Sequence, residues 1–341
     1  MTDPILKIEN VSKRFTRMPG LAERLVGKIT GGGKPVTVHA LSEVSLEVAK
    51  GEVLGVVGES GCGKSTLGRV VAGIYVPSDG GVTLNGKPVA HERGGNVDKL
   101  TTQVQMIHQD PFASLNPRMK VGETLAEGPR FHKIIPARDV QGRIRELLEK
   151  VGLEGAYADR FPHQFSGGQR QRVAIARALA MEPEVLVLDE AVASLDVSIQ
   201  AQVLNLFMDL RRDLGLTALF ISHDLSVVRH VCDRVAIMYL GRLVELAPAD
   251  ALYADPKHPY TAALFASVPT VGTGKRRFEA IKGEIPSPIN PPSGCAFHPR
   301  CPLAGPRCSV EAPRLTDAGA GRTVACHLND GGVGAQTKVT A

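Results

Sequence analysis

The most specific chemistry in the chain lies in Gly58-Glu59-Ser60-Gly61-Cys62-Gly63-Lys64-Ser65-Thr66. Its spacing, G-x-x-x-x-G-K-S, is that of a P-loop that cradles phosphate. Upstream, Val53-Leu54-Gly55-Val56-Val57 is an apolar run suited to a buried parallel strand. Downstream, Leu67, Val70 and Val71 recur at helical spacing. In that strand–loop–helix setting the glycines let backbone N–H groups turn inward, and the helix N-terminus adds partial positive charge. The dipole contributes only about 0.3–2 kcal/mol. Several N–H donors, the Lys64 ammonium and a metal ion held by Ser65 must therefore supply most of the phosphate affinity. Alone, the motif implies nucleotide binding and no more.

Other stretches could act on such a nucleotide. Val185-Leu186-Val187-Leu188 is a continuous apolar, β-rich run ending in Asp189-Glu190. A carboxylate pair at the C-terminal end of a parallel strand sits where open α/β sheets place ligands. Asp189 there can hold a magnesium shell, and Glu190 can orient or deprotonate an attacking water. The run Ala218-Leu219-Phe220-Ile221-Ser222-His223-Asp224 repeats the arrangement and brings His223 to a strand end as a phosphate sensor, although a lone histidine is more often structural. Val104-Gln105-Met106-Ile107-His108-Gln109 reads as a strand whose end exposes Gln109. Ser166-Gly167-Gly168-Gln169 opens a helix carrying Val173, Ile175, Ala176 and Leu179. Ser and Gly at a helix N-terminus make a second anion site, without a lysine, that would serve a different nucleotide from the first. An ordinary helix cap is the plainer reading of that segment taken by itself.

The elements that must position these residues follow from patterning. Residues 5–16 alternate apolar and polar, as do Val44, Leu46 and Val48, and both predict antiparallel strands with one buried face. Between them lies a Gly- and Lys/Arg-rich insertion, about residues 17–36, in which Leu21, Leu25 and Ile29 could line a short basic helix; its Gly-Gly-Gly end favours a mobile surface loop over a membrane-surface segment. Asn85-Gly86 predicts a tight hairpin turn. From about 121 to 165 the pattern is helical (Ile144, Leu147, Leu148, Val151), broken at Pro136 and Pro162. Val235-Ala236-Ile237-Met238 and Gly241-Arg242-Leu243-Val244-Glu245 predict a closing β-hairpin. After about 250 the composition shifts: His258-Pro259-Tyr260-Thr261 opens a short helix, residues 284–313 are Pro-rich and loop-like, and the last dozen residues have a disordered composition.

Bulk composition sets the outer bounds. The 341 residues suffice for one large core plus a smaller module. With 43% hydrophobic and 22% charged residues the chain is of the soluble globular class, and a net charge of +5 does not imply nucleic-acid binding. No run approaches the roughly 20 apolar residues of a membrane span. Met1-Thr2-Asp3-Pro4 does not begin a secretory signal, so a reducing compartment is expected, where the six cysteines serve as thiols or metal ligands rather than disulfides.

With the P-loop, Ser166-Gly167-Gly168-Gln169, Leu188-Asp189-Glu190 and His223 in this order, the chain resembles an ABC-type ATPase over residues 5 to about 250. The expected fold class is therefore α/β, a P-loop NTPase with an antiparallel β subdomain and an α-helical subdomain (about 110–165), plus a small loop-rich, Cys-containing C-terminal extension (251–330) and a tail at 331–341. The resemblance implies a head-to-tail dimer binding ATP and Mg2+. Residues 58–66 of one subunit would hold the nucleotide whose γ-phosphate meets Ser166, Gly167, Gly168 and Gln169 of the other. It further implies that Gln109 reports on the metal and water, that Asp196 communicates across the dimer, and that Phe15 stacks on adenine. Two departures stand out: Phe165 replaces the usual Leu before the signature, and Ala193-Ser194 inverts the subfamily's Ser-Ala, which moves one hydroxyl at the dimer contact of Ser194 and leaves that of Asp196 in place.

The C-terminal part narrows the subfamily. His258-Pro259-Tyr260-Thr261-Ala262-Ala263-Leu264, Gly283-Glu284-Ile285-Pro286-Ser287-Pro288, Cys295 with His298-Pro299-Arg300-Cys301-Pro302, and the stretch from Gln109 to Arg118 are similar to oligopeptide/dipeptide importer ATPases. The resemblance implies a peripheral subunit on the cytoplasmic face of the cell (inner) membrane, paired with a homologous second ATPase subunit. Two permease subunits, an extracytoplasmic solute-binding protein and no nucleic acid complete the expected partners. A non-peptide solute such as nickel, a sugar or an opine-like compound is the alternative cargo. A soluble ABC ATPase acting on nucleic acid or ribosomes, and an exporter half, are disfavoured by the single ATPase unit and the tail. Cys295, Cys301, Cys308 and Cys326 are spaced C-x5-C, C-x6-C and C-x17-C, without the C-x2-C pairs of zinc ribbons. Spacing leaves free thiols and an iron–sulfur cluster both open, and the resemblance implies a four-iron (4Fe–4S) cluster. Cys62 needs only its backbone, and Cys232 reads as a core thiol.

Overall fold

The computed structural model describes residues 3–20, 35–110, 115–267, 281 and 283–329. Most of the basic insertion read as a surface loop (residues 21–34), residues 111–114 of the Gln109–Arg118 stretch, and the terminal tail lie outside the described residues.

The chain opens with β1 (Pro4–Arg17), β2 (Val36–Ala49) and β3 (Val53–Val57), followed by α1 (Lys64–Val71). Next come β4 (Asp79–Leu84), β5 (Lys87–Pro88), the small hairpin β6 (Ala90–Arg93) and β7 (Asn96–Lys99), and β8 (Val104–Ile107). The helical stretch contains α2 (Val121–Phe131) and α3 (Val140–Lys150), then two 3-10 turns, and α4 (Gly167–Leu179). Pro136 lies between α2 and α3 and Pro162 opens the second turn, as expected, whereas Pro129 is accommodated inside α2. The rest comprises β9 (Val185–Asp189), α5 (Val197–Leu214), β10 (Thr217–Ile221), α6 (Leu225–Val231), β11 (Arg234–Tyr239), β12 (Arg242–Pro248), α7 (Ala249–Ala254) and α8 (Pro259–Ala266). Two short strands, β13 (Thr316–Asp317) and β14 (Thr323–Val324), close the list.

Strands β2-β1-β4-β5 form an antiparallel sheet in that order. The main sheet runs β13-β14-β12-β11-β3-β10-β9-β8, with β8, β9, β10, β3 and β11 parallel. Its central strands are apolar throughout because both faces are covered. On one face Val57, Leu186, Leu188 and Phe220 meet the core shared with the helical side. On the other, Leu54, Val56, Val187 and Ile221 pack with Leu67 and Val71 of α1 and with the antiparallel sheet. A period of two thus feeds two cores from one strand.

The compositional break near 250 is not a break in packing. Strand β14 pairs with β12, placing Val324 opposite Glu245, so the tail extends the main sheet. Glu245, fully buried, accepts N–H bonds from Lys257 (2.9 Å) and His258 (3.0 Å) at the start of α8. Arg322 approaches it at 3.8 Å and donates to the Ala251 carbonyl. Tyr239, Tyr260 and Phe297, three buried rings with centroids 4.7–5.3 Å apart, seat the tail against the end of β11. Loops dominate 284–313, as expected, with two 3-10 turns.

Candidate functional site

Parallel pairing brings the C-terminal ends of β3, β8, β9 and β10 to one edge of the sheet, where ligands of open α/β sheets bind. The P-loop leaves β3 there. Gly58 admits no side chain, since a Cβ would stand 2.2 Å from the Met238 carbonyl oxygen. Gly63 has φ 105° and would press a Cβ to 2.4 Å from the Ala40 carbonyl oxygen, a conformation glycine alone adopts readily. The first turn of α1 has no side-chain cap, so its N–H groups face the loop as donors for an anion. Lys64 is buried and donates to the Gly58 (2.8 Å) and Glu59 (3.0 Å) carbonyls. Cys62 is buried beneath the loop, and burial raises its thiol pKa.

Ser65 Oγ donates to Asp189 Oδ1 at 2.8 Å. Burial raises the Asp189 pKa, and the Ser65 hydrogen bond opposes that shift. A divalent cation beside this pair would favour the ionised carboxylate. One residue on, Glu190 has φ 49°, an uncommon left-handed conformation for a side chain of its size, held by its N–H bond to the Ile221 carbonyl on β10 (2.9 Å). The turn aims its carboxylate between two strands: Gln109 Nε2 donates to Glu190 Oε2 at 3.0 Å, and His223 Nδ1 lies 3.4 Å from the same oxygen. Gln109 and His223, 114 residues apart in sequence, are thereby gathered around the carboxylate of Glu190.

Ser166-Gly167-Gly168-Gln169, Asp196 and Phe15 are not joined to that cluster by any hydrogen bond or ion pair among the described residues. Ser166 and Gln169 form a reciprocal capping box, the plain helix start that the sequence allowed, with Ser166 itself exposed. Asp196 is the exposed N-cap of α5, followed by Val197, which is 83% exposed. Phe15 packs edge-to-face on Tyr75 (5.4 Å), with Lys13 Nζ 5.2 Å from its ring.

The tail contributes two residues that sequence reasoning missed. Tyr260 Oη accepts the Glu59 N–H at 2.9 Å, and Arg300 grips the Glu59 carboxylate with two nitrogens at 2.7 and 3.0 Å. Separations of 201 and 241 residues carried no periodic or motif signal for these contacts.

Cys295, Cys301, Cys308 and Cys326 line one small pocket with His258 and Phe297. Burial raises the pKa of Cys295, Cys301 and Cys326, the last to about 11, whereas a coordinating metal would itself deprotonate such thiols. Among the described residues no group of three or more His, Cys, Asp or Glu side chains is arranged to hold a metal ion. The donors match a cluster in kind and number, but their arrangement does not support one. Cys232 is a buried core thiol, as expected.

A family model described as "ABC transporter" matches residues 41–193, and one described as "Oligopeptide/dipeptide transporter, C-terminal region" matches residues 244–308. The chain is 48% identical to a probable peptide ABC transporter ATP-binding protein, y4tS, of Sinorhizobium fredii, over 96% of this chain and 91% of that one. It is 47% identical to the oligopeptide transport ATP-binding protein AppF of Bacillus subtilis, over 96% and 98% of the two chains. A solved dimeric ATP-binding cassette in a post-hydrolysis state with ADP and phosphate superposes with a TM-score of 0.58 at 27% identity, covering 72% of this chain and 98% of that one.

Proposed function

This chain belongs to the ABC transporter family of ATP-binding subunits, and we propose that it hydrolyses ATP to energise a membrane importer of peptides of the dipeptide or oligopeptide class. The observation that carries the reading is the meeting of Lys64, the Ser65–Asp189 pair and the Gln109–Glu190–His223 cluster at one sheet edge, in a chain whose residues 244–308 match the oligopeptide/dipeptide C-terminal region.

In this reading Lys64 exchanges its loop carbonyls for phosphate oxygens, and the N–H groups of residues 63–66 complete the cradle. Mg2+ beside Ser65 and Asp189 would neutralise phosphate charge. Glu190, aimed by Gln109 and steered by His223, takes the proton of the attacking water, and Phe15 with Tyr75 offers an aromatic face to adenine. The exposed Ser166 terminus and the exposed Asp196-Val197 corner support a head-to-tail dimer in which the signature of one subunit closes on the P-loop of the other. The second subunit is a homologous ATPase chain.

A groove lined by Met106, His108, Thr124, Phe131, Arg177 and Met181 runs between β8, α2 and α4, and Phe131 is 80% exposed. It suits a permease helix docking beside Gln109, so that closure of the ATPase dimer moves the membrane subunits. Among the described residues no helix is long and apolar enough to cross a membrane, consistent with a peripheral place at the cytoplasmic face beneath two permeases served by a solute-binding protein. A 4Fe–4S cluster on the four tail cysteines would require their side chains to rearrange from this placement, which holds no metal-binding group among the described residues. Iron content and visible absorbance in protein purified without oxygen test it, and their absence removes it.

The function is tested by reconstituting the chain with its co-encoded ATPase, permeases and binding protein in vesicles. Peptide-loaded binding protein should stimulate ATP hydrolysis and drive peptide uptake. Stimulation by a non-peptide solute alone would replace peptide with that cargo.

A further inference from the structure

Every polar group of Glu59 is engaged, and each group's partners come from a different place. Its carbonyl accepts from Lys64 Nζ and from the Cys62 N–H, its N–H donates to Tyr260 Oη, and its carboxylate takes the two-pronged grip of Arg300. The Arg300 side chain is only 4% exposed and that of Glu59 21% exposed, so the pair is shielded from the water and salt that weaken surface ion pairs. Arg300 is itself held in place. It ends the 3-10 turn His298–Arg300, between Cys295 and Cys301, and that turn follows Phe297, one of the three rings seating the tail. Its guanidinium also reaches Tyr239 Oη at 3.4 Å.

The placement matters because residue 59 lies in the loop that must receive a polyphosphate. An unpaired carboxylate there would repel the ligand at close range through a partly desolvated medium. It would also leave the loop with fewer anchors when Lys64 releases the Glu59 carbonyl, which then keeps only the Cys62 N–H. A planar, permanently charged fork meets both needs, neutralising the carboxylate and fixing its direction.

We propose that Arg300, assisted by Tyr260, is a positioning residue of the ATP site: from the C-terminal region it neutralises Glu59 and holds the P-loop in the shape that accepts a polyphosphate. The proposal rests on the reading that this loop binds ATP. By linkage, whatever displaces the 295–301 segment weakens ATP binding, and bound ATP resists that displacement.

The test is Mg-ATP binding to the full chain by titration calorimetry, with thermal unfolding of each variant recorded alongside. Arg300→Gln should raise the Kd for ATP roughly fivefold, the low end for coupled sites. In a Glu59→Gln background the same change should leave Kd unaltered, because the charge that Arg300 neutralises is gone. A purely structural role in seating the tail would weaken binding equally in both backgrounds, and that result, or an unchanged Kd for Arg300→Gln alone, overturns the proposal. If Arg300→Gln does not fold, Tyr260→Phe carries the test: it removes only the hydroxyl that holds the Glu59 N–H and should raise Kd about twofold, and an unchanged Kd overturns the proposal. Failure of the unaltered chain to bind ATP would overturn the ATP reading as well, which separates the two.

Discussion

Ser65 and Asp189, 124 residues apart in sequence, meet through a 2.8 Å hydrogen bond that ties the P-loop to the end of β9. The bond makes the phosphate loop and the acidic strand end a single unit, so a cation placed by one is placed by the other. Removing either oxygen should therefore act on the metal-dependent part of nucleotide binding. Ser65→Ala should weaken Mg-ATP binding about tenfold while leaving metal-free ATP nearly unaffected, a loss of the size seen when a metal site loses a supporting group. Titrations with and without Mg2+ read this directly; equal losses in both would deny Ser65 its place beside the cation.

Glu190 is held in a left-handed backbone conformation with Gln109 on the oxygen that also faces His223. Glu190→Gln keeps the volume and one acceptor but removes the base. Phosphate release should fall by about 10²–10⁴-fold while ATP binding persists, and with its homologous ATPase partner the ATP-bound variant should accumulate as a closed dimer on size exclusion. Undiminished turnover would remove Glu190 from the mechanism.

Phe297 is fully buried between Tyr239 and Tyr260. Phe297→Ala should cost about 3–5 kcal/mol where the cavity cannot collapse, concentrated in the docking of the tail. Limited proteolysis should then cut within 284–329 faster than in the unaltered chain; equal cleavage rates would show that the rings do not seat the tail.

Burial lowers His258 from 6.5 to about 4. The unfolded chain binds a proton near the ordinary value while the folded chain does not until about 4. Stability is therefore fully present above the unfolded value and falls as pH drops toward 4, by at most about 3 kcal/mol. Glu245, raised by burial, acts in the opposite direction, so the comparison must be between variants. His258→Asn keeps a side-chain acceptor for the Tyr260 N–H at the start of α8 and should flatten the fall in unfolding free energy between about pH 7 and about pH 4.5. Parallel curves would exclude His258 as the titrating group.

Local order dictated much of this protein. A five-residue apolar run feeding a glycine-rich loop and a helix can bury its two faces in few ways, so β3, the P-loop and α1 are legible in residues 53–71, as are the strands ending in Asp189 and before His223. Asn85-Gly86 fixes a turn, and Pro136 and Pro162 break helices, through dihedral preferences that need no distant partner. Which strand ends become neighbours is a property of sheet order. Glu190 meets Gln109 and His223 because β8, β9 and β10 lie side by side, and alternation of apolar residues carries no strand order. The tail illustrates the same limit more sharply. Its composition reads as a loop-rich appendage, yet β14 joins the main sheet, and Tyr260 and Arg300 reach the P-loop across more than 200 residues. The motif at 58–66 was written in one short stretch because backbone donors and one lysine suffice to cradle phosphate. The charge balance around Glu59 was decided only when three aromatic rings packed together and carried an arginine to its side.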